Sequence, residues 1–505
     1  MPSFKQMPMT PSQVLLFPLS VEESVPKDCD VRIVGEAMDL LDWTVFEAGY
    51  SETGCPPYPP KVLAKVLVYG YSKGIRSSRA LEDAVKNDKR YIWLAGGLEP
   101  DHTTIARFRK DKARELREVY RGSVRICAEA GLVLLDVTAT DGSKIKARAS
   151  KKSLYDAKRV AKELEAIDRM LAEAEEVDRR EDDLYGSGAG NRVPEELADA
   201  AKRKEKLGEI AERLRKTGRN SASSTDAECR VMKTSDGLRP SYNVQITVDS
   251  ANQVIVAADV TNKETDKGQL PAQLEEVVEN TGCSPHVMLA DTGYSDERTY
   301  ETLASLGQDA LMPPRRQPRE KKRKDLFASK CFLRDGERDV LICPAGRELP
   351  YYREVRCSSG RYKEYRAFGC RSCSFYDACV TVTCKTGRAV QVSVVDAERQ
   401  AMIERLETPE GRRLYSLRQQ TVEPVFGNIK ANMGLSRFLL HGRAGAQAET
   451  WLICIAHNLK IYARRRGAPA VSVLFRALQW LTGVASGLVG TKPRHDALLA
   501  AKASA

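Results

Sequence analysis

Long apolar runs are what this 505-residue chain lacks most plainly. Its uninterrupted apolar stretches, such as Trp451 to Ala456, fall far short of the roughly 20 residues that span a bilayer. The apolar tail between Val471 and Val489 is broken by Arg476 and Gln479. No basic-then-apolar leader is seen: the Val14–Leu19 stretch is short and contains Pro18. No membrane association and no secretory signal are therefore expected, and a cytoplasmic location is. A Gly-x4-Gly-Lys-Ser/Thr loop is missing too, so nothing supports a nucleotide cofactor. Histidine is scarce, with five in all. Neither His102 nor His441 has a Cys or Ser partner nearby, so no nucleophilic catalysis is assigned to them.

A strong excess of one charge is also missing. Lys and Arg number 80 and Asp and Glu 69, a net charge of +11, with the two signs mixed along the chain. That balance permits a nucleic-acid partner without demanding one. The 13 cysteines, in a chain not expected to be exported, read as thiols or metal ligands rather than a disulfide framework. The length suits about three domains, and 42% hydrophobic residues suffice for ordinary cores.

Residues 1–130 are expected to be all-helical. Pro60 precedes an apolar pattern at helical spacing through Tyr69, and Gly74 ends it. Ser77-Ser78 can cap the next helix, through Leu81 and Val85. Asp101 can cap a long helix running through Ile105, Phe108 and Leu116 to about Ala130. Short helices joined by tight turns and carrying Arg76, Arg79, Arg107, Arg109 and Lys110 fit a helix-turn-helix-like DNA-binding unit; a plain helical bundle with a solvated basic face fits as well. From Leu132 the pattern turns to strands. Residues 133–140 form one ending at Asp141-Gly142, and 151–220 form an inserted, charged helical hairpin. Tyr242–Val248 and Val254–Ala258 form a β-hairpin. A helix, a short strand ending at Asp291, a second helix and the strand 309–312 complete a mixed α/β core, residues 131–314. Residues 315–392 form a basic, Cys-rich insertion, opened by the Arg315–Lys324 run of cations. Residues 393–466 are mostly helical, and 467–505 form a tail with a small apolar helix.

Three acids stand out. Asp141 and Asp291 each end an expected strand, and Glu423 lies in the helical stretch Val422–Lys430. Strand-end carboxylates lie at the edge of an α/β core, and three converging can hold Mg²⁺, a hard cation that takes oxygen ligands. Two such ions can activate water and stabilise the leaving oxygen of a phosphodiester. Alone, either Asp reads equally as a turn cap. If the helix runs on past Pro424, Lys430 shares a face with Glu423, about 10.5 Å away. Cations beside a metal-binding carboxylate suit a scissile phosphate and its neighbours, although a surface salt-bridge face is the competing reading. In the insertion, Cys370-x2-Cys373, with Cys343 and Cys379, could close a tetrahedral Zn²⁺ site and staple a segment with few apolar residues. Free thiols in a loop-rich insert are the alternative.

Four stretches carry a resemblance. They are Leu15–Pro26; Tyr58–Lys110, with Tyr69–Arg79 and Pro100–Thr104; Asp141–Ala147 together with Ala290–Tyr294; and Val422–Lys430, followed by Phe438, Gly442-Arg443 and Glu449–Trp451. Tyr242-Asn243-Val244-Gln245 matches a further strand. In order and spacing the chain resembles a DDE-type transposase of bacterial insertion sequences, in the branch with an all-helical N-terminal domain and a cysteine-containing insertion. The resemblance implies an RNase H-like catalytic core and Mg²⁺- or Mn²⁺-dependent strand cleavage and transfer. It implies double-stranded DNA partners, the terminal inverted repeats and the target, with a homodimer or higher assembly on DNA. It gives Asp141, Asp291 and Glu423 the metal-binding roles and sets Arg418 and Lys430 against DNA phosphate. Related chains have three residues between the Arg and the Glu, whereas here there are four, Gln419 to Val422. Tyr415 has a permissible spacing. A catalytically silent DNA-binding regulator and an RNase H-fold endonuclease derived from a transposase are the competing functions.

Overall fold

In the computed structural model the described residues are 20–466, apart from 48–49, 51–55, 186–194, 315–326, 328–330, 336, 358–359 and 381–386. The Arg315–Lys324 run and the tail helix expected around 471–488 lie outside them.

The α/β core is built on one mixed sheet. Its strands are β1 (Val137–Lys146), β2 (Arg230–Thr234), β3 (Gly237–Asp249), β4 (Ile255–Thr261), β5 (Val287–Leu289) and β6 (Ala310–Leu311). The order is β2-β3-β1-β5-β6, with β4 also paired to β3. Pairing is antiparallel among β1, β2, β3 and β4, and parallel from β1 to β5 to β6. This is the RNase H-like α/β architecture expected. One expectation shifts: β1 does not end at Asp141 but continues to Lys146, because β3 pairs along its whole length as far as Lys146↔Ser241. The inserted hairpin is formed by helices Ala157–Tyr185 and Glu195–Thr217, joined along an apolar seam of Val160, Ile167, Leu207, Ile210 and Leu214.

The N-terminal region is helical as expected. Pro60 opens the helix Pro60–Ser72 from its first turn, and the Asp101 carboxylate caps His102–Asp111 by accepting from Thr104 N at 2.6 Å. The single long helix expected here is broken at Lys112 into His102–Asp111 and Ala113–Glu129. Nor are these helices a separate packing unit. Val34, Leu67, Tyr69, Tyr120 and Val124 share one hydrophobic core with Ile246 and Val256 of the sheet and with Leu452 and Ile455 of the last described helix, Gly442–Arg466. That helix also seals β4. Gln447 and Asn458 are three turns apart, hence on one face. Gln447 pairs with Val260 N and Ala258 O (2.6 and 2.9 Å), and Asn458 with Ile255 N and O (2.9 and 3.0 Å). An otherwise open strand edge is thereby satisfied.

The insertion folds as a five-stranded antiparallel sheet. It has its own apolar cluster of Phe332, Leu341, Leu349, Tyr365, Ala367 and Val390, with Cys370 among them. Among the described residues no helix is long and apolar enough to cross a membrane.

Candidate active site

β1 and β5 run in parallel with pairs Val137↔Val287, Thr138↔Met288 and Ala139↔Leu289. That constant offset of 150 is also the separation of Asp141 and Asp291. Asp141 lies two residues beyond the last pair and still within β1, whereas Asp291 lies two residues past the end of β5, where it caps the turn Thr292–Tyr294. Each carboxylate is fixed locally. Asp141 Oδ1 accepts from Gly142 N at 2.8 Å, and Asp291 Oδ1 from Gly293 N at 2.7 Å.

The helix Pro409–Ala431 brings the third acid. Thr408 caps it, accepting from Gly411 N at 2.9 Å, and Pro409 sits in its first turn. The helix is continuous through Pro424. Proline has no N–H for the carbonyl four residues back, and the freed Gln420 carbonyl accepts from Gln253 Nε2 at 3.1 Å. Gln253 holds a left-handed backbone, φ +61°. Its own carbonyl accepts from His457 Nε2 at 2.9 Å, whose other ring nitrogen faces Asn428 Nδ2 at 3.2 Å. A run of polar contacts thus braces the proline from outside.

Arg418 joins the acids. Its Nη1 lies 3.4 Å from Asp141 Oδ2 and its Nη2 3.7 Å from Glu423 Oε1. The guanidinium is nearly buried, while Glu423 is exposed. Five residues separate Arg418 from Glu423, about 140° around an ideal helix, and the long Arg side chain makes up the difference. The extra residue noted in the sequence therefore does not remove Arg418 from the site. Burial raises the Asp141 pKa; Gly142 N–H and Arg418 oppose that, while the negative charges of Asp291 and Asp266 add to it. Desolvation lowers the Lys430 pKa, with Asp141 pulling it back up. Lys430 Nζ lies 5.6 Å from the centre of the Phe426 ring. Burial raises the Tyr415 hydroxyl pKa, and Arg418 opposes that.

The donors at this site are carboxylate oxygens, and the repulsion felt by Asp141 calls for a cation. That chemistry fits a hard divalent ion. As arranged, Arg418 supplies the positive charge, and among the described residues no three Asp, Glu, His or Cys side chains gather as a metal group. A divalent ion at Asp141 and Glu423 therefore requires Arg418 to yield.

Two other expectations are corrected. Arg76 is not offered to DNA. Its side chain is 8% exposed, and its guanidinium donates to Glu449 Oε2 at 2.5 Å, Gly434 O at 2.6 Å and Arg437 O at 2.9 Å. Arg109 is likewise buried, on Tyr71 Oη and Arg76 O. Arg79, Arg107 and Lys110 are exposed. The zinc site has no support. Cys343, Cys370, Cys373 and Cys379 line one small pocket in the insertion, with Cys343 Sγ accepting from Arg347 N at 3.3 Å. They do not form a metal group among the described residues.

Sequence reasoning missed Asp266, which lies in the loop after β4 and faces the site. Asn243 and Gln245 donate to it. Its signal was indirect: amides at alternate positions of a buried strand share a face and require a polar partner.

Residues 342–463 match the model of a transposase DDE domain, and residues 19–111 match a transposase domain model. No curated protein matches the chain. The DDE match contains Glu423, Arg418 and Lys430, and the second match contains the helices up to His102–Asp111 and stops before Ala113–Glu129.

Proposed function

We propose that the chain is an insertion-sequence DDE transposase that binds the terminal inverted repeats of its element and catalyses divalent-metal-dependent strand cleavage and strand transfer, a reading supported by the matches of residues 342–463 to a transposase DDE domain and of residues 19–111 to a transposase domain. The observation that carries this reading is that Asp291, just past the end of β5, lies near enough to Asp141 of the adjacent strand to raise its pKa, with Glu423 tied to Asp141 through Arg418. Asp141, Asp291 and Glu423 would hold Mg²⁺ or Mn²⁺. When bound, such ions lower the pKa of an attacking water or 3′-hydroxyl and stabilise the departing 3′-oxygen. The chain's own residues do the rest. The buried strand ends exclude bulk water from one side of Asp141. Arg418, released from Asp141, and Lys430 offer cations to phosphates beside the cut. No Ser or Tyr nucleophile is assigned, and the protein forms no covalent bond to DNA. Exposed Arg79, Arg107 and Lys110 supply phosphate contacts on the helical region. The assembly on DNA is a homodimer or larger, because two ends must be held together, and the protein works in the bacterial cytoplasm.

The test is cleavage of DNA carrying the element's own terminal repeat, with Mg²⁺ or Mn²⁺, followed by joining of pre-cut ends. Cutting and joining that vanish in Asp141→Ala support the reading. Cutting without joining would make the chain an endonuclease, and end binding without either would make it a silent regulator.

A further inference from the structure

Asp266 is outside the three-acid pattern, yet it lies where a side chain on either of the glycines beside two of those acids would have to sit. Its Oδ1 accepts from Asn243 Nδ2 and Gln245 Nε2, each at 2.7 Å. Lys144 Nζ lies 3.2 Å from both of its oxygens. Gln245 in turn accepts from the hydroxyl of the buried Tyr294. Asn243 also donates to the Lys263 carbonyl at 3.3 Å, tying the strand to the loop that carries Asp266. Asn243, Gln245 and Lys144 face one another across β1 and β3, in the pairs Gly142↔Gln245 and Lys144↔Asn243.

The two glycines explain the geometry. A side chain at Gly142 would run into Gln245 Nε2 and, at 2.5 Å, into Asp266 Oδ1. A side chain at Gly293 would meet Asp291 Oδ1 at 2.8 Å and Asp266 Oδ2 at 3.2 Å. These are the residues whose N–H groups hold the Asp141 and Asp291 carboxylates. Asp266 thus lies close to both Gly142 in β1 and Gly293 in the turn after β5, and glycine at both lets it come that close. Its Oδ1 takes both amides and its Oδ2 only the Lys144 ammonium, so the carboxylate is held in place chiefly through Oδ1. Lys144 balances its charge, so it can stand beside two other carboxylates.

We propose that Asp266 is a positioning residue that sets the separation of the Asp141 and Asp291 carboxylates, by bracing Gly142 and Gly293 from between them, and so tunes the affinity of the site for a divalent cation. This rests on the metal-centre reading above. Partners that orient metal ligands typically contribute 10–100-fold in metal affinity.

The experiment titrates Mn²⁺ alone into the full-length protein, by calorimetry and by the electron paramagnetic resonance of free Mn²⁺. It compares wild type with Asp266→Asn, Lys144→Met and Asp141→Ala. Asp266→Asn puts an amide among donors and is expected to weaken Mn²⁺ binding about 10–100-fold while the protein stays folded. Lys144→Met keeps both amide bonds to Asp266 and is expected to weaken binding less, in the same direction. It decides the matter if Asp266→Asn does not fold. Wild-type affinity in the folded variant, with only a lowered melting temperature, overturns the proposal and leaves Asp266 a structural residue. If wild type binds no Mn²⁺, or Asp141→Ala binds it equally well, the metal-centre reading itself fails and takes this one with it.

Discussion

Arg76 and Glu449, 373 residues apart in sequence, meet in a buried ion pair at 2.5 Å. Glu449 Oε1 also accepts from Leu439 N and Leu440 N, at 2.7 and 2.6 Å. Arg76 holds the carbonyls of Gly434 and Arg437. The loop that leaves the Glu423 helix is therefore clamped from the N-terminal region on one side and from the last described helix on the other. The same loop extends the sheet, with Phe438 N donating to Lys146 O at 2.9 Å.

Removing one partner of such a pair strands a buried charge. Arg76→Met is expected to cost about 3–5 kcal/mol of stability, read from the denaturant midpoint of the full chain. Glu449→Gln should cost less, because an amide oxygen can still accept. An Arg76→Met protein of unchanged stability that has lost DNA affinity would return Arg76 to the phosphate-contact role.

Asp141→Ala, Asp291→Ala and Glu423→Ala should each reduce metal-dependent cleavage to background while end binding, measured by gel shift, persists. The reason is spatial: Arg79, Arg107 and Lys110, exposed cations of the helical region, lie on elements that do not carry the three acids. Near-normal cutting by any of the three would dismiss that acid from the centre.

Burial and neighbouring carboxylates raise the Asp141 pKa. Its folded value exceeds its unfolded one, so its relative contribution to stability is complete below the unfolded pKa and is lost as pH rises through the folded pKa. Without metal, Asp141→Asn should therefore be more stable than wild type at neutral pH, and the gap should close in acid. Melting temperatures across pH 4 to 8 check this. Added Mg²⁺ should raise the wild-type melting temperature and leave the variant's unmoved.

His457 runs in the opposite direction. Burial pushes its imidazole down to about 4, from an ordinary 6.5, with the bond to the Gln253 carbonyl opposing. A lowered folded pKa means stability present above pH 6.5 and lost as pH falls through 4. The linked loss is on the order of 3 kcal/mol. His457→Gln should flatten the stability curve between pH 6.5 and 4. A curve as steep as wild type would assign that acid sensitivity to other groups.

Much of this was legible in the sequence because it depends on local pattern. Pro60 and Asp101 announce helix starts, and the alternation around Tyr242 announces β3. The acids at 141, 291 and 423 could be named because their order and spacing resemble a known family. What was not legible depends on long-range contact. Nothing near Arg76 distinguishes it from exposed Arg79, since its partner Glu449 is supplied from the far end of the chain. Asp141 seemed to close its strand because Gly142 follows it, yet β3 pairs on to Lys146 and overrides the local signal. The cysteines suggested a staple because the insertion looked poor in apolar residues. Leu341, Leu349, Tyr365 and Val390 come from separate strands and form a cluster only once the sheet exists.

The shared core of the N-terminal helices, the sheet and the last described helix makes the molecule a caliper. On the function proposed above its jaws would be the grip on the repeat and the cutting centre, and among the described residues both sides share that one core. Such a tool measures from a fixed zero. Inserting one base pair between the gripped sequence and the cleavage point shifts the scissile phosphate by about 3.4 Å and turns it by roughly 35°. The protein would then cut at its own distance, not at the element's boundary.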